Sequence, residues 1–348
     1  MKFSHLKKLL VLMFAGGGML AQTSAALITV ETVPVGNAGN VADRRAFPTL
    51  RGSVGYDYKI GKFEVTISQY TAFLNAVALT DTYGLYNVSM GTDMHIAGIS
   101  RSGSSGNFTY SVVGSGLRPI SYVSWLDSAR FANWLHNGQP AGLQTAETTE
   151  MGSYNLNGAL SDGGITRSAN ATFVLPTQNE WYKAAYYDPS LNSSRGGYWL
   201  YPTRSNATPN SRNGSDADPN SANFYRNDEI DNGFNGGFAV TGTTLFSDNQ
   251  NYLTEVGAFG LSTSYYGTFD QGGNAWEWDD TVIGLSQRGM LGGAYDNGEA
   301  AMSASHLDAG GDPRLERNII GFRIAIVPEP SMVGLVSLGL LILAWTRK

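Results

Sequence analysis

Only three stretches of this chain join a helix-start signal to an apolar period, and the long intervals between them are made of turn-forming residues. Thr66-Ile-Ser-Gln69 reads as a capping box, in which the Thr66 and Gln69 side chains satisfy the free amides of the first helical turn. Tyr70, Phe73, Leu74 and Val77 then share one helical face. Ser124 with Asp127 starts a second helix whose inner face carries Trp125, Ala129, Ala132 and Leu135, and His136 and Gly138 stop it. Thr177 and Glu180 open a third behind Pro176, turning Trp181, Ala184 and Ala185 inward. The 43 glycines and a charged fraction of only 15% imply that ordered loop, not helix, makes up the rest.

Residues 56–65, 107–113, 118–123, 252–259 and 288–295 alternate or cluster as short strands do, and 318–326 reads as one closing strand with Phe322, Ile324 and Ile326 on one side. Residues 188–250 are dense in Asn, Gly, Ser, Asp and Pro, too long for a plain connection and so expected to be tied down.

The ends speak of export. Lys2, Lys7 and Lys8 precede an apolar run from Leu9 to Leu20 and small residues at 23–26, the pattern of a signal peptide over 1–25. At the other end Val327-Pro-Glu-Pro330 leads into an apolar run from Met332 to Trp345 and then Arg347-Lys348. A helix over that run reaches about 21 Å, short of a hydrocarbon core of roughly 30 Å. The chain has no cysteine, which excludes disulfides, thiolate metal sites and cysteine nucleophiles. Without the five basic residues of the two ends, residues 26–330 hold 18 bases against 29 acids, a net −11. Such a body argues against nucleic acid or anionic lipid as partner and suits a protein that holds divalent cations.

Gly267-Thr-Phe-Asp-Gln-Gly-Gly-Asn-Ala-Trp-Glu-Trp-Asp-Asp280 is the densest motif. Trp276 and Trp278 share a parity while Glu277 points the other way. Gly272-Gly273-Asn274 can adopt positive φ and turn carbonyls inward. Asp270 and Glu277 add carboxylates on either side, the hard oxygen set that Ca²⁺ prefers. The same residues also read as a tight turn with solvated acids and a tryptophan strand docked on the core. Asn223, Phe224, Asp248 and Gln250 offer oxygen ligands for a second cation, and Asp279-Asp280 are expected to face water.

The ordered succession Glu64-Val-Thr66, Val123-Ser-Trp125, Leu175-Pro-Thr-Gln-Asn-Glu-Trp181, Gly273-Asn-Ala-Trp-Glu-Trp278, Leu291-Gly-Gly-Ala-Tyr295 and Gly321-Phe-Arg-Ile324 resembles the formylglycine-generating enzyme (sulfatase-modifying factor) family over roughly 55–326. The resemblance implies an α+β, C-type-lectin-like fold with few helices, small antiparallel sheets and much ordered loop. It also implies two Ca²⁺ ions. One would lie between the Asp270 side chain, the Gly273 and Ala275 carbonyls and the Glu277 carboxylate. Asp270 stands where the family often has Asn. The other would use Asn223, the Phe224 carbonyl, Asp248 or Asp231, and the Gln250 carbonyl.

The family's oxidation chemistry uses copper on two cysteines after the Gly-Gly-Ser-Tyr-like motif, and here the matching positions are Asn297 and Met302. Neither supplies the thiolate that Cu(I) needs, so no copper is expected. The C-terminal pattern resembles the PEP-CTERM sorting signal, which implies an exosortase-type partner and processing near Pro328-Glu329-Pro330. The division expected is therefore a signal peptide (1–25), an entry strand and loop (26–54), the family domain (55–326) and a sorting segment (327–348). The functional expectation is an exported, non-catalytic, calcium-stabilised module that binds protein or polysaccharide at the cell envelope. The alternatives are an oxidoreductase that uses the same pocket without cysteines, and a glycan-binding lectin with aromatics at Tyr198-Trp199 and Tyr265-Tyr266.

Overall fold

Each of the three capping boxes closes. Thr66 Oγ1 accepts from the Gln69 amide while Gln69 Oε1 accepts from the Thr66 amide at 2.9 Å, and Ser124 with Asp127 and Thr177 with Glu180 repeat the exchange. They start helices α1 (Ile67–Val77), α2 (Trp125–His136) and α3 (Gln178–Tyr186). The structure is a computed structural model that describes residues 27–45, 50–161, 164–213, 218–230, 235–306 and 309–328.

Helix α2 is more deeply placed than its apolar face alone implies, since every residue from Trp125 to Leu135 is buried. Its polar residues are satisfied where they sit. Arg130 Nε donates to Glu150 at 2.8 Å, and Asn133 Nδ2 donates to the Thr149 and Tyr154 carbonyls. A helix buried on all sides can carry such residues only when each has a partner. Phe131 packs edge-on against Phe73 of α1 and against Phe322, with ring centroids at 5.3 and 5.4 Å.

Eight strands build two small sheets: β1 (Thr32–Val35), β2 (Tyr58–Gly61), β3 (Phe173–Val174), β4 (Trp276–Ile283), β5 (Gln287–Leu291), β6 (Ala309–Gly311), β7 (Ile320–Phe322) and β8 (Ala325–Ile326). One sheet runs β1-β2-β8-β3 and is antiparallel throughout. The other runs β6-β5-β4-β7 and pairs β4 with β7 in parallel, Glu277 opposite Gly321. The α+β class, the scarcity of long helices and the predominance of loop agree with the expectation.

Several strand expectations need correction. Residues 318–326 are two strands, because the chain leaves one sheet at Phe322 and enters the other at Ala325. Residues 118–123 keep a single bridge, between Pro119 and Thr66, because Tyr122 sits at φ +59°, where an extended ladder cannot continue. Residues 252–259 are loop, fixed by separate hydrogen bonds from Tyr252 N to His95 O and from Val256 N to Leu117 O. The best part of 107–113, Thr109–Val112, does pair in a hairpin with Ile99–Ser102. Segment 26–54 contributes β1 to the same sheet as β2 and β8, so it is built into the domain. The 188–250 stretch is pinned by ladders of two and three residues, such as Tyr225–Asn227 with Gly236–Phe238.

The expected signal peptide, Glu329, Pro330 and the apolar run beyond them lie outside the described residues, while Pro328 is exposed at the end of the domain. No helix among the described residues is long and apolar enough to cross a membrane.

Candidate functional site

The Gly-Phe-Arg turn between the two sheets delivers Arg323 to the centre of the molecule. Gly321 is required there, since a Cβ would stand 2.6 Å from the Ile120 carbonyl. Arg323 Nε and Nη2 donate to the two oxygens of Glu277 at 2.5 and 2.6 Å, and both side chains are fully buried. Trp181 Nε1 of α3 adds a third donor to Glu277 Oε2 at 2.7 Å. Arg323 also reaches the Gly61 and Phe269 carbonyls, so one side chain ties β2, β4 and the turn before β4 together. Burial works against the guanidinium charge, but the Glu277 carboxylate beside it outweighs that and raises its pKa.

Asn274 is the hub on the other side of this pair. Its Oδ1 accepts from Thr254 N and from Asn223 Nδ2 at 3.1 and 3.0 Å, and its Nδ2 donates to Glu64 Oε1 at 3.2 Å. Of the three residues expected at positive φ, Gly273 and Asn274 adopt it, at 84° and 63°, and Gly272 does not, while Asp270 joins them at 58°. At Gly273 a Cβ would fall 2.2 Å from the Asn223 carbonyl oxygen. Asp270 Oδ2 accepts from Gly257 N at 2.6 Å, and burial pushes its carboxyl up to about 6. Burial, and after it the charge on Asp270, holds the Glu64 carboxyl well above the usual carboxylate range. In the sequence reading Glu64 has no ligand role and Asn274 only a backbone one. Their signal was present all the same, an acid just before the first capped helix and an Asn between Gly273 and the tryptophan strand.

Asp270 and Glu277 of the first expected calcium set thus lie, with Glu64, close enough to Arg323 for their charges to act on one another, three buried carboxyl groups around a single cation. Glu64 Oε2 is buried without a hydrogen-bond partner. Glu277 already accepts three N–H groups, two of them at Oε2, which leaves one lone-pair position on Oε1. The oxygen chemistry of these side chains suits a hard cation, and Glu277 would be shared between Arg323 and the ion. No group of three or more His, Asp or Glu among the described residues is arranged to hold a metal.

The second expected set is not closed by Asp248. Asn223 Nδ2 donates to the Tyr252 carbonyl and to Asn274 Oδ1, while its own Oδ1 is buried without a hydrogen-bond partner, and the Phe224 carbonyl accepts from Ser211 Oγ at 2.5 Å. Asp248 has a side chain 94% exposed and stands 3.8 Å from His95 Nε2. The reason is tertiary: Tyr252 stacks between Phe246 and Tyr295 and fixes the loop so that Asp248 points to solvent. Asp231 lies outside the described residues. His95 is partly buried with Nδ1 2.8 Å from Asp93.

Asn297 and Met302 have been absorbed into structure. Asn297 Oδ1 caps the Ala294 amide at 3.0 Å, and its carbonyl accepts from Tyr225 N. Met302 is 1% exposed and packs with Tyr201, Ala222 and Phe224, while its carbonyl accepts from Tyr186 Oη. Beside it an open cleft of about 560 Å³ is lined by Leu200, Tyr201, Glu299, Ala300, Ser303, Ser305 and His306. Asp279 and Asp280, expected in water, are inside. Asp279 is fully buried, and Asp280 pairs with Arg167 at 2.8 Å and Arg288 at 3.1 Å.

A mostly irregular α+β scaffold, held by a buried Glu–Arg pair where two small sheets exchange a strand, defines the class of protein. Residues 19–327 match the family model described as the sulfatase-modifying factor enzyme 1-like domain, and the chain belongs to that family. Similar solved structures include "Crystal Structure of CarF" (21% identity, 87% of this chain and 100% of that one, TM-score 0.48). Others are Treponema denticola variable protein 1 (17%, 86% and 98%, 0.46) and PvdO from Pseudomonas aeruginosa (14%, 86% and 92%, 0.43). No curated protein matches this sequence.

Proposed function

We propose that this chain is an exported, non-catalytic module of the sulfatase-modifying-factor family, stabilised by calcium and binding protein or polysaccharide at the cell envelope. The observation that carries the reading is the fate of the positions where the family places its thiolates. Asn297 is spent on a turn, Met302 is sealed in an apolar cluster, and the chain holds no cysteine. Copper has no soft ligand pair here.

Calcium would be held by Asp270, Glu277 and the Gly273 and Ala275 carbonyls, where it would offset the surplus of buried carboxylate. It would act as a structural ion, stabilising the folded form by mass action. Glu64 would lend that pocket a buried oxygen, and a negative charge once a bound ion displaces its proton, and Arg323 orients Glu277. The signal-like start and the Pro-Glu-Pro end support export and sorting by an exosortase-type partner.

Calcium titration against thermal unfolding tests the metal. A midpoint that does not move between chelator and saturating calcium removes it from the reading. Conversion of a peptide thiol to an aldehyde by the purified chain removes "non-catalytic".

A further inference from the structure

We infer that the cleft between residues 41–45 and 187–198 binds the anionic groups of an acidic polysaccharide. The inference rests on the reading of the chain as a binding module and names the site and ligand class that reading leaves open. The cleft has a volume of about 340 Å³, and Arg44, Arg45 and Arg195 line it together with Tyr187 and Tyr198. Its one acid, Asp43, is already neutralised. Asp43 Oδ2 accepts from Arg45 Nη2 at 2.8 Å and from Tyr182 Oη at 2.9 Å. Burial tends to raise the Asp43 carboxyl, and the Arg45 hydrogen bonds and charge reverse this and hold it below its usual value.

Arg44 and Arg195 remain, both exposed, and neither guanidinium has an ion-pair partner among the described residues. Two uncompensated guanidiniums at one cleft oppose the charge of a body that is net −11. Guanidinium forks match carboxylate and sulfate oxygens in geometry as well as in charge.

The walls are set before any ligand arrives. Arg45 Nη2 donates to the Tyr198 and Trp199 carbonyls, and Tyr198 Oη donates to the Val41 carbonyl at 2.9 Å, so both sides of the cleft are cross-tied. The rim holds Asn192, Ser193 and Ser194 at φ +53°, +57° and +64°, three successive left-handed residues without a glycine. Such a run persists only where the surroundings impose it. Buried Tyr187 and half-buried Tyr198 meet edge-on at 5.1 Å and make the cleft floor rigid.

Purified full-length protein would be titrated with hyaluronan for carboxylate, dextran sulfate for sulfate, neutral dextran, and a single-stranded DNA of matched charge. At least one acidic polysaccharide is expected to bind more tightly than dextran and than DNA. The exposed double variant R44Q/R195Q should weaken that binding about ten- to a hundredfold. K59Q/R314Q, which removes the same net charge at two other exposed positions, should leave it within about twofold. Equal losses in the two double variants, equal binding of dextran or DNA, or no binding of either acidic polymer would overturn the inference. A calcium-dependent midpoint that survives those outcomes leaves the module reading standing, whereas a chain insensitive to chelation fails that reading whatever the polymers do.

Discussion

Glu277 shows how one side chain is read differently at the two levels. Its parity set it opposite the tryptophans and its acidic neighbours marked it as an oxygen ligand, yet it is fully buried and the group it meets is a guanidinium 46 residues away in sequence. Glu277→Gln would leave Arg323 buried without its counter-charge, and the loss in urea unfolding should be about 3–5 kcal/mol. Gly273→Ala meets both a positive φ and a carbonyl oxygen at 2.2 Å. It should cost at least about 1–3 kcal/mol and lower calcium affinity, measured by titration of whatever fraction remains folded. The conformational need at Gly273 was legible because only glycine tolerates that backbone freely. The partners of Asn274 were not, since they come from residues 64, 223 and 254, and no local pattern brings those together.

At the level of elements, the three helix starts were readable to the residue, because capping is settled within four positions of the chain. The same boxes carry an ionisable group into the core. Burial pushes the Asp127 carboxyl, N3 of α2, up to about 7 from 3.8. The folded chain thus keeps a proton that the unfolded chain releases above about pH 4, so this contribution is full below pH 4 and is lost as pH rises through 7. The slope is at most about 1.4 kcal/mol per pH unit. Asp127→Asn keeps an oxygen for the Ser124 amide and should flatten the stability profile between pH 4.5 and 7, followed by urea midpoints. An unchanged slope would dismiss the assignment. The strands were harder: residues 318–326 alternate as one strand does, and only the presence of two sheets splits them at Arg323.

For the whole molecule, the balance is between little regular structure and many individually tied loops. Calcium is expected to matter at that scale. At a hundredfold excess over its Kd it should add about 2.7 kcal/mol, a rise in midpoint of about 5 °C, reversed by chelator. The expected second site is the weaker part, because Asp248 and Asn223 belong to regions whose relative placement depends on the Phe246–Tyr252–Tyr295 stack. Aromatic stacking between distant loops leaves no spacing rule in the chain.

What the chain alone determined was its class: ordered motifs, three capped helices, abundant glycine and the absence of sulfur nucleophiles. Those features act through covalent geometry and contacts within a few residues, so they survive being read in one dimension. Which carboxylate pairs with which guanidinium, where the last strand changes sheet, and how Asn297 and Met302 are buried was decided only in three dimensions. A buried charge has to find its partner wherever the fold places one, and a side chain's exposure belongs to its neighbours in space.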